Sequence, residues 1–141
     1  MPAAERFLID KSAYERVLRP NARGIWTDVL VQGRVSLCAP TEAEILYSVR
    51  SVAEYRETKH ALRELYGWVP VPEDAWSRLL ELQERMAAAG CHRSASIADL
   101  LVAITAQHHR LTVLHYDRDF ETVAKVTGQP VRWLAPPGTL D

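Results

Sequence analysis

Residues 94–120, SASIADLLVAITAQHHRLTVLHYDRDF, decide the fold. From Ile97 to Ala106 every residue is apolar except Asp99 and Thr105, a density that predicts a helix buried on most of its surface, with Ser96 as its cap. His108-His109-Arg110 ends that helix, Leu111 to Leu114 reads as a short strand, and Asp117-Arg118-Asp119-Phe120 stops it. Acids therefore flank a core helix and strand. An ionised carboxylate with so few polar neighbours is costly to desolvate unless a cation or a hydrogen-bond donor meets it, so Asp99 is the residue to explain.

Working outward, Arg6 to Ile9 reads as a strand ending at Asp10, followed by a helix over Lys11 to Leu18 that Pro20-Asn21 breaks. A helix around Ile25 to Val31, a strand over Val35 to Cys38 and a helix from Glu42 to about Arg50, opened by Pro40-Thr41, come next. Val52 to Tyr66 is a helix with a charged face, stopped by Gly67. Trp68 to Val71 reads as a brief strand, and Pro72-Glu73-Asp74 starts a long helix reaching about Ala89. Beyond the opening stretch lie a helix over Glu121 to Thr127 and a strand over Val131 to Leu134. Strands alternating with helices predict an α/β fold, a central, mostly parallel sheet flanked by helices. One domain over residues 1–135 is expected, with 136–141, which includes Pro136-Pro137-Gly138, as a frayed tail.

The composition restricts the function. At 141 residues the chain has the size of one domain, and 17 basic against 18 acidic residues give a net charge of −1. Such a chain has no bulk electrostatic pull toward nucleic acid, so binding there would need a local basic patch or a metal offsetting acids. Cys38 and Cys91 are too few and too dispersed for a disulfide framework or a CxxC metal site. Met1 to Leu8 lacks the apolar run of a signal peptide, and no apolar run reaches the ~20 residues of a membrane span. A cytoplasmic protein with no membrane partner is expected. Neither GxGxxG nor GxxxxGK[ST] occurs, which argues against dinucleotide or ATP binding.

Four acids fall at junctions of this outline. Asp10 closes the first strand, Glu44 lies in the first turn of the helix after the second, Asp99 opens the buried helix and Asp117 follows the Leu111 strand. In a parallel sheet, ligands collect at the carboxyl ends of the strands, where all four can meet. Carboxylates about 4 Å apart repel by roughly 4 kcal/mol per pair at an effective dielectric near 20, and a divalent cation removes that conflict. Hard oxygen ligands without His or Cys favour Mg²⁺, with Mn²⁺ as a substitute, and suit phosphoryl chemistry.

Each acid also has a plain structural reading. Asp10 and Asp117 can cap the helices that follow them, Ser96-Ile97-Ala98-Asp99 is an acidic capping box, and Thr41-Glu42-Ala43-Glu44 fits the same pattern. Asp119 and Glu42 read first as partners of helix dipoles, although Asp119 is near enough to Asp117 to assist a metal. His108-His109 suits a helix end, and His60, His92 and His115 lack a partner at ligand spacing. Arg56, Lys59 and Arg63 share a helix side that Glu57 and Glu64 interrupt, the pattern of a solvated face.

Taken together, Phe7-Leu8-Ile9-Asp10-Lys11-Ser12-Ala13, then Thr41 to Ser48, Ile97 to Ala106 and Asp117-Arg118-Asp119-Phe120 resemble PIN-domain proteins of the VapC toxin type, in order and spacing across nearly the whole chain. The resemblance implies a PIN-like three-layer fold and a metal-dependent ribonuclease, the toxin of a type II toxin-antitoxin system. It further implies neutralisation by a small cognate antitoxin and a homodimer. Carried over by position, Asp10, Glu44, Asp99 and Asp117 would form the catalytic quartet, with Asp10, Asp99 and Asp117 on the metal. Asp119 would be an accessory acid, and Ser12 a hydroxyl supporting Asp10. Ser48 stands where the family often has Gly. Two rival classes are a phosphoacceptor regulatory domain, which would need a lysine at a later strand end, and a non-catalytic interaction module of the same fold.

Overall fold

Phe7, Leu8 and Ile9 are consecutive, apolar and all buried, as a strand covered on both faces requires. In the computed structural model, which describes residues 4–141, they form β1 (Phe7–Ile9). Residues 1–3, part of the stretch read as lacking a signal peptide, lie outside the described residues. The other strands are β2 (Val35–Leu37), β3 (Gly67–Trp68), β4 (Thr112–His115) and β5 (Val131–Trp133). Their order is β3-β2-β1-β4-β5, and every pairing is parallel, with Phe7 opposite both Val35 and Thr112 and Ile9 opposite Leu114. The order reverses at β1. The crevice beyond its carboxyl end, between neighbours reached by different crossovers, is where parallel sheets gather ligands.

Among the described residues seven helices make the connections: α1 (Lys11–Tyr14), α2 (Arg23–Val31), α3 (Ala39–Tyr47), α4 (Val52–Leu65), α5 (Ala75–Ala88), α6 (Ile97–His109) and α7 (Arg118–Thr127). Side chains alternate across the sheet. Phe7, Ile9 and Leu114 pack with Ala13, Trp26, Leu30 and Leu62 on one side, while Leu8 and Val113 pack with Val102, Ala106 and Phe120 on the other. The result is three layers, with a further seam in which Leu79, Leu82 and Met86 of α5 cover Leu100 and Ile104 of α6. At the sheet edge Gly67 has no substitute without movement, because a Cβ there would lie 2.8 Å from Ser36 Oγ.

Three expectations need correction. The helix expected over Lys11 to Leu18 stops at Tyr14 and continues as turns, since Pro20 disfavours helical backbone at Arg19 and Arg16 Nη1 donates to the Ser12 carbonyl at 2.8 Å. The helix expected from Glu42 begins at Ala39, because Pro40 is tolerated within a first turn; Thr41 is then a buried helical residue and not a cap. The tail expected to fray is docked instead. Leu140 is 3% exposed within the core beside Trp26 and Tyr116, its N–H donates to Tyr116 Oη at 2.8 Å, and Arg19 donates to its carbonyl.

Candidate active site

Asp10 leaves β1 tied to the neighbouring strand, its N–H donating to the Leu114 carbonyl at 2.9 Å. It caps α1 through Oδ2, which accepts the Ser12 N–H at 3.0 Å and the Ser12 hydroxyl at 2.7 Å. Oδ1 is buried and has no partner among the described residues. Burial holds the Asp10 carboxyl above its ordinary pKa; the Ser12 hydrogen bonds oppose this and repulsion from Glu44 adds to it. Ser12 Oγ in turn accepts the Tyr116 N–H at 2.9 Å, so the two strand ends are coupled through one hydroxyl.

Asp99 forms the capping box with Ser96. Its N–H donates to Ser96 Oγ at 3.1 Å while its Oδ2 accepts the Ser96 N–H at 3.2 Å. Its pKa is pushed up to about 6, first by burial and then by the charge of Asp10, with a smaller push from Asp117 and the Ser96 bonds acting against it. Asp117 caps α7, its Oδ1 accepting the Asp119 N–H at 3.0 Å. Asp119 is raised by burial and by Asp117.

One carboxylate oxygen from each of Asp99, Asp117 and Asp119 lies within 4.8 Å of the other two. Glu44, half-buried on α3, approaches this cluster from the side. Its Oε1 is buried without a partner, and burial followed by repulsion from Asp99 raises its pKa, with Lys11 offsetting part of the effect. The structure thus gathers Asp10, Glu44, Asp99, Asp117 and Asp119 at one end of the sheet. The capping readings of Asp10, Asp99 and Asp117 hold as well. Each of these three spends one oxygen on a backbone N–H, which fixes the carboxylate's direction and leaves the second oxygen for another partner. Clustered acids held against burial and mutual repulsion, with orphaned oxygens, fit a divalent cation.

Sequence reasoning passed over two neighbours. His115 is fully buried, with Nε2 3.1 Å from Glu121 Oε1 and Nδ1 accepting the Asp117 N–H at 3.2 Å. Burial lowers its pKa, and Glu121 pulls against that shift. The six-residue separation crosses a strand-to-helix turn, which no periodicity marks. Glu42, read as a dipole partner, also takes two hydrogen bonds from Arg63, at 2.9 and 3.1 Å, and Arg63 lies over the Trp68 ring at 4.1 Å. Arg63 is therefore engaged, and not part of a purely solvated face. A groove of about 410 Å³, floored by Pro40, Ala43 and Leu101, borders Glu44 and Lys11.

The chain is 39% identical over 134 residues to Ribonuclease VapC21 of Mycobacterium tuberculosis (strain CDC 1551 / Oshkosh), spanning 95% of this chain and 97% of that protein. It is 36% identical over 136 residues to Ribonuclease VapC18 of Mycobacterium tuberculosis (strain ATCC 25618 / H37Rv), across 95% of this chain and 98% of that one. Among solved structures, a DNA-bound VapBC from Salmonella typhimurium superposes with a TM-score of 0.74 over 94% of this chain and 100% of that chain; at 14% identity this is a likeness of fold. Residues 7–126, which contain all five clustered acids, match the model of the PIN domain, and the chain belongs to the PIN-domain family.

Proposed function

We propose that this protein is a divalent-metal-dependent endoribonuclease that hydrolyses RNA phosphodiester bonds as the toxin of a toxin-antitoxin pair. The observation that carries the reading is the set of Asp99, Asp117 and Asp119 oxygens within 4.8 Å of one another, beside an Asp10 whose Oδ1 is orphaned and whose charge reaches Asp99. The likeness to two ribonucleases over nearly the full chain supports it.

Asp10, Asp99 and Asp117 would hold the ion, assisted by Asp119, and an all-oxygen set favours Mg²⁺ or Mn²⁺. The bound cation would supply an activated water and charge stabilisation at the leaving oxygen. Ser12 keeps Asp10 oriented by spending its hydroxyl proton on Oδ2. Glu44, whose Oε1 has no partner among the described residues, would complete the charge around the ion and help orient the attacking water. A phosphoacceptor domain would want a lysine at a later strand end, whereas β4 and β5 end in His115 and Trp133.

A small antitoxin is the proposed partner, in a homodimeric assembly. Among the described residues no helix is long and apolar enough to cross a membrane, and both cysteines are free, which suits a cytoplasmic setting. The antitoxin would lie along the α3–α4 hairpin, where Val52 and Tyr55 are exposed, continuing into a groove of about 530 Å³ between α1 and α4 lined by Tyr14, Leu18, Leu65 and Tyr66. Tyr55→Glu should weaken antitoxin binding in a titration and leave cleavage intact; equal affinity would remove this surface. The nuclease reading is tested with an RNA oligonucleotide and Mg²⁺ or Mn²⁺ titrated against EDTA. Cleavage should require metal and fall by ~100-fold or more in Asp99→Asn, the scale of losing a major electrostatic stabiliser. Normal cleavage by that variant would leave Asp99 as a cap alone.

A further inference from the structure

The residues leaving β4 reach the acid cluster from behind. Tyr116 N–H donates to Ser12 Oγ, which serves Asp10, and one residue later Asp117 N–H donates to His115 Nδ1 at 3.2 Å. A backbone N–H can only donate, so Nδ1 must offer a lone pair and the proton of the neutral ring sits on Nε2. That nitrogen lies 3.1 Å from Glu121 Oε1 on α7, which takes its hydrogen bond. The ring has no freedom to swing. It is fully buried, with ring centroids 4.8 Å from Trp133 and 5.4 Å from Phe120.

Asp117 stands at the bend between β4 and α7 in extended conformation, φ −151° and ψ 125°, with a carboxylate oxygen in the set that lies within 4.8 Å of Asp99 and Asp119. Its Oδ1 takes the Asp119 N–H on one side, and its own backbone N–H is held on the other by the bond to His115 Nδ1. We propose that His115 is a positioning residue for the metal centre: its bare Nδ1, fixed by Glu121 and by the surrounding rings, anchors the Asp117 backbone so that the carboxylate stays beside Asp99 and Asp119. The proposal rests on the acid cluster being the metal site. A partner of this kind one layer behind the ligands sets affinity by about 10–100-fold in metal proteins.

The test compares His115→Leu, which fills the space without an acceptor, with His115→Asn, whose side-chain oxygen can stand near the Nδ1 position. Mn²⁺ dissociation constants are measured by titration calorimetry on the full chain, with thermal scans in EDTA and Asp99→Asn as the control. His115→Leu should bind Mn²⁺ at least ~10-fold more weakly than wild type. His115→Asn should recover most of that loss although it packs no better. Wild-type affinity in a folded His115→Leu, or equal losses in both variants, overturns the proposal. Unchanged affinity in Asp99→Asn instead removes the metal site on which it depends. A third measurement needs no variant: ¹⁵N chemical shifts of the His115 ring should show Nδ1 bare and Nε2 protonated, and a protonated Nδ1 refutes the assignment even if His115→Leu fails to fold.

Discussion

Replacing Asp99 with Asn should make the metal-free protein more stable at neutral pH. The Asp99 carboxyl titrates at about 6 in the fold against an ordinary value of 3.8. Its raised value favours the fold only while the group is protonated; that contribution is complete below pH ~4 and is lost as pH rises through about 6. Above that window the charged form is held at a cost. At about 1.36 kcal/mol per pKa unit the shift corresponds to roughly 3 kcal/mol, which partial solvent screening reduces to about 1–2 kcal/mol. Asparagine removes the charge and keeps an oxygen for the Ser96 N–H, so the cap of α6 survives. For a domain of this size the gain is roughly 3–7 °C in melting temperature. Scans in EDTA at pH 4, 5, 6 and 7.5 should show the variant's advantage opening across that window. A variant that melts no higher than wild type at pH 7.5, or one whose difference is the same at every pH, would refute the electrostatic account.

Mg²⁺ or Mn²⁺ should raise the melting temperature of the wild type at pH 7–8 and raise it less near pH 5, where protons compete; Asp10→Asn and Asp99→Asn should each blunt the response and Asp141→Asn should not, as thermal scans with and without metal would show. Leu140→Ala should cost about 2–4 kcal/mol in urea unfolding, whereas an undocked tail would give no change. Gly67→Ala should cost roughly 1–3 kcal/mol, because its methyl meets Ser36 Oγ, and adding Ser36→Ala should recover most of this in the same assay.

Most of the fold was legible because apolar runs and their breakers are local. The short apolar run at Phe7–Ile9 and the β-rich run at Leu111–Leu114 announced strands, and the acids after them marked one edge of a parallel sheet. The caps at Asp10, Asp99 and Asp117 leave room for the ligand reading, since a carboxylate has two oxygens and each of these spends one on a backbone N–H. What stayed hidden depends on tertiary packing. Arg63 meets Glu42 across 21 positions, and Leu140 finds its place only where Tyr116 and Arg19 have already been brought together. Asp119, read as accessory, belongs to the tight triad because the turn after β4 folds it back toward Asp99, which a linear spacing does not convey.

The strand order carries a consequence for biosynthesis. β1 is made early, yet one of its partners is β4, more than a hundred residues later, and Asp10 reaches its final position only when its N–H meets the Leu114 carbonyl. A growing chain can pair β1 with β2 early, yet it lacks the β4 side of the cleft. Contacts this distant in sequence form late and make folding slow. The cleft that gathers the acids can therefore be completed only after translation has passed β4.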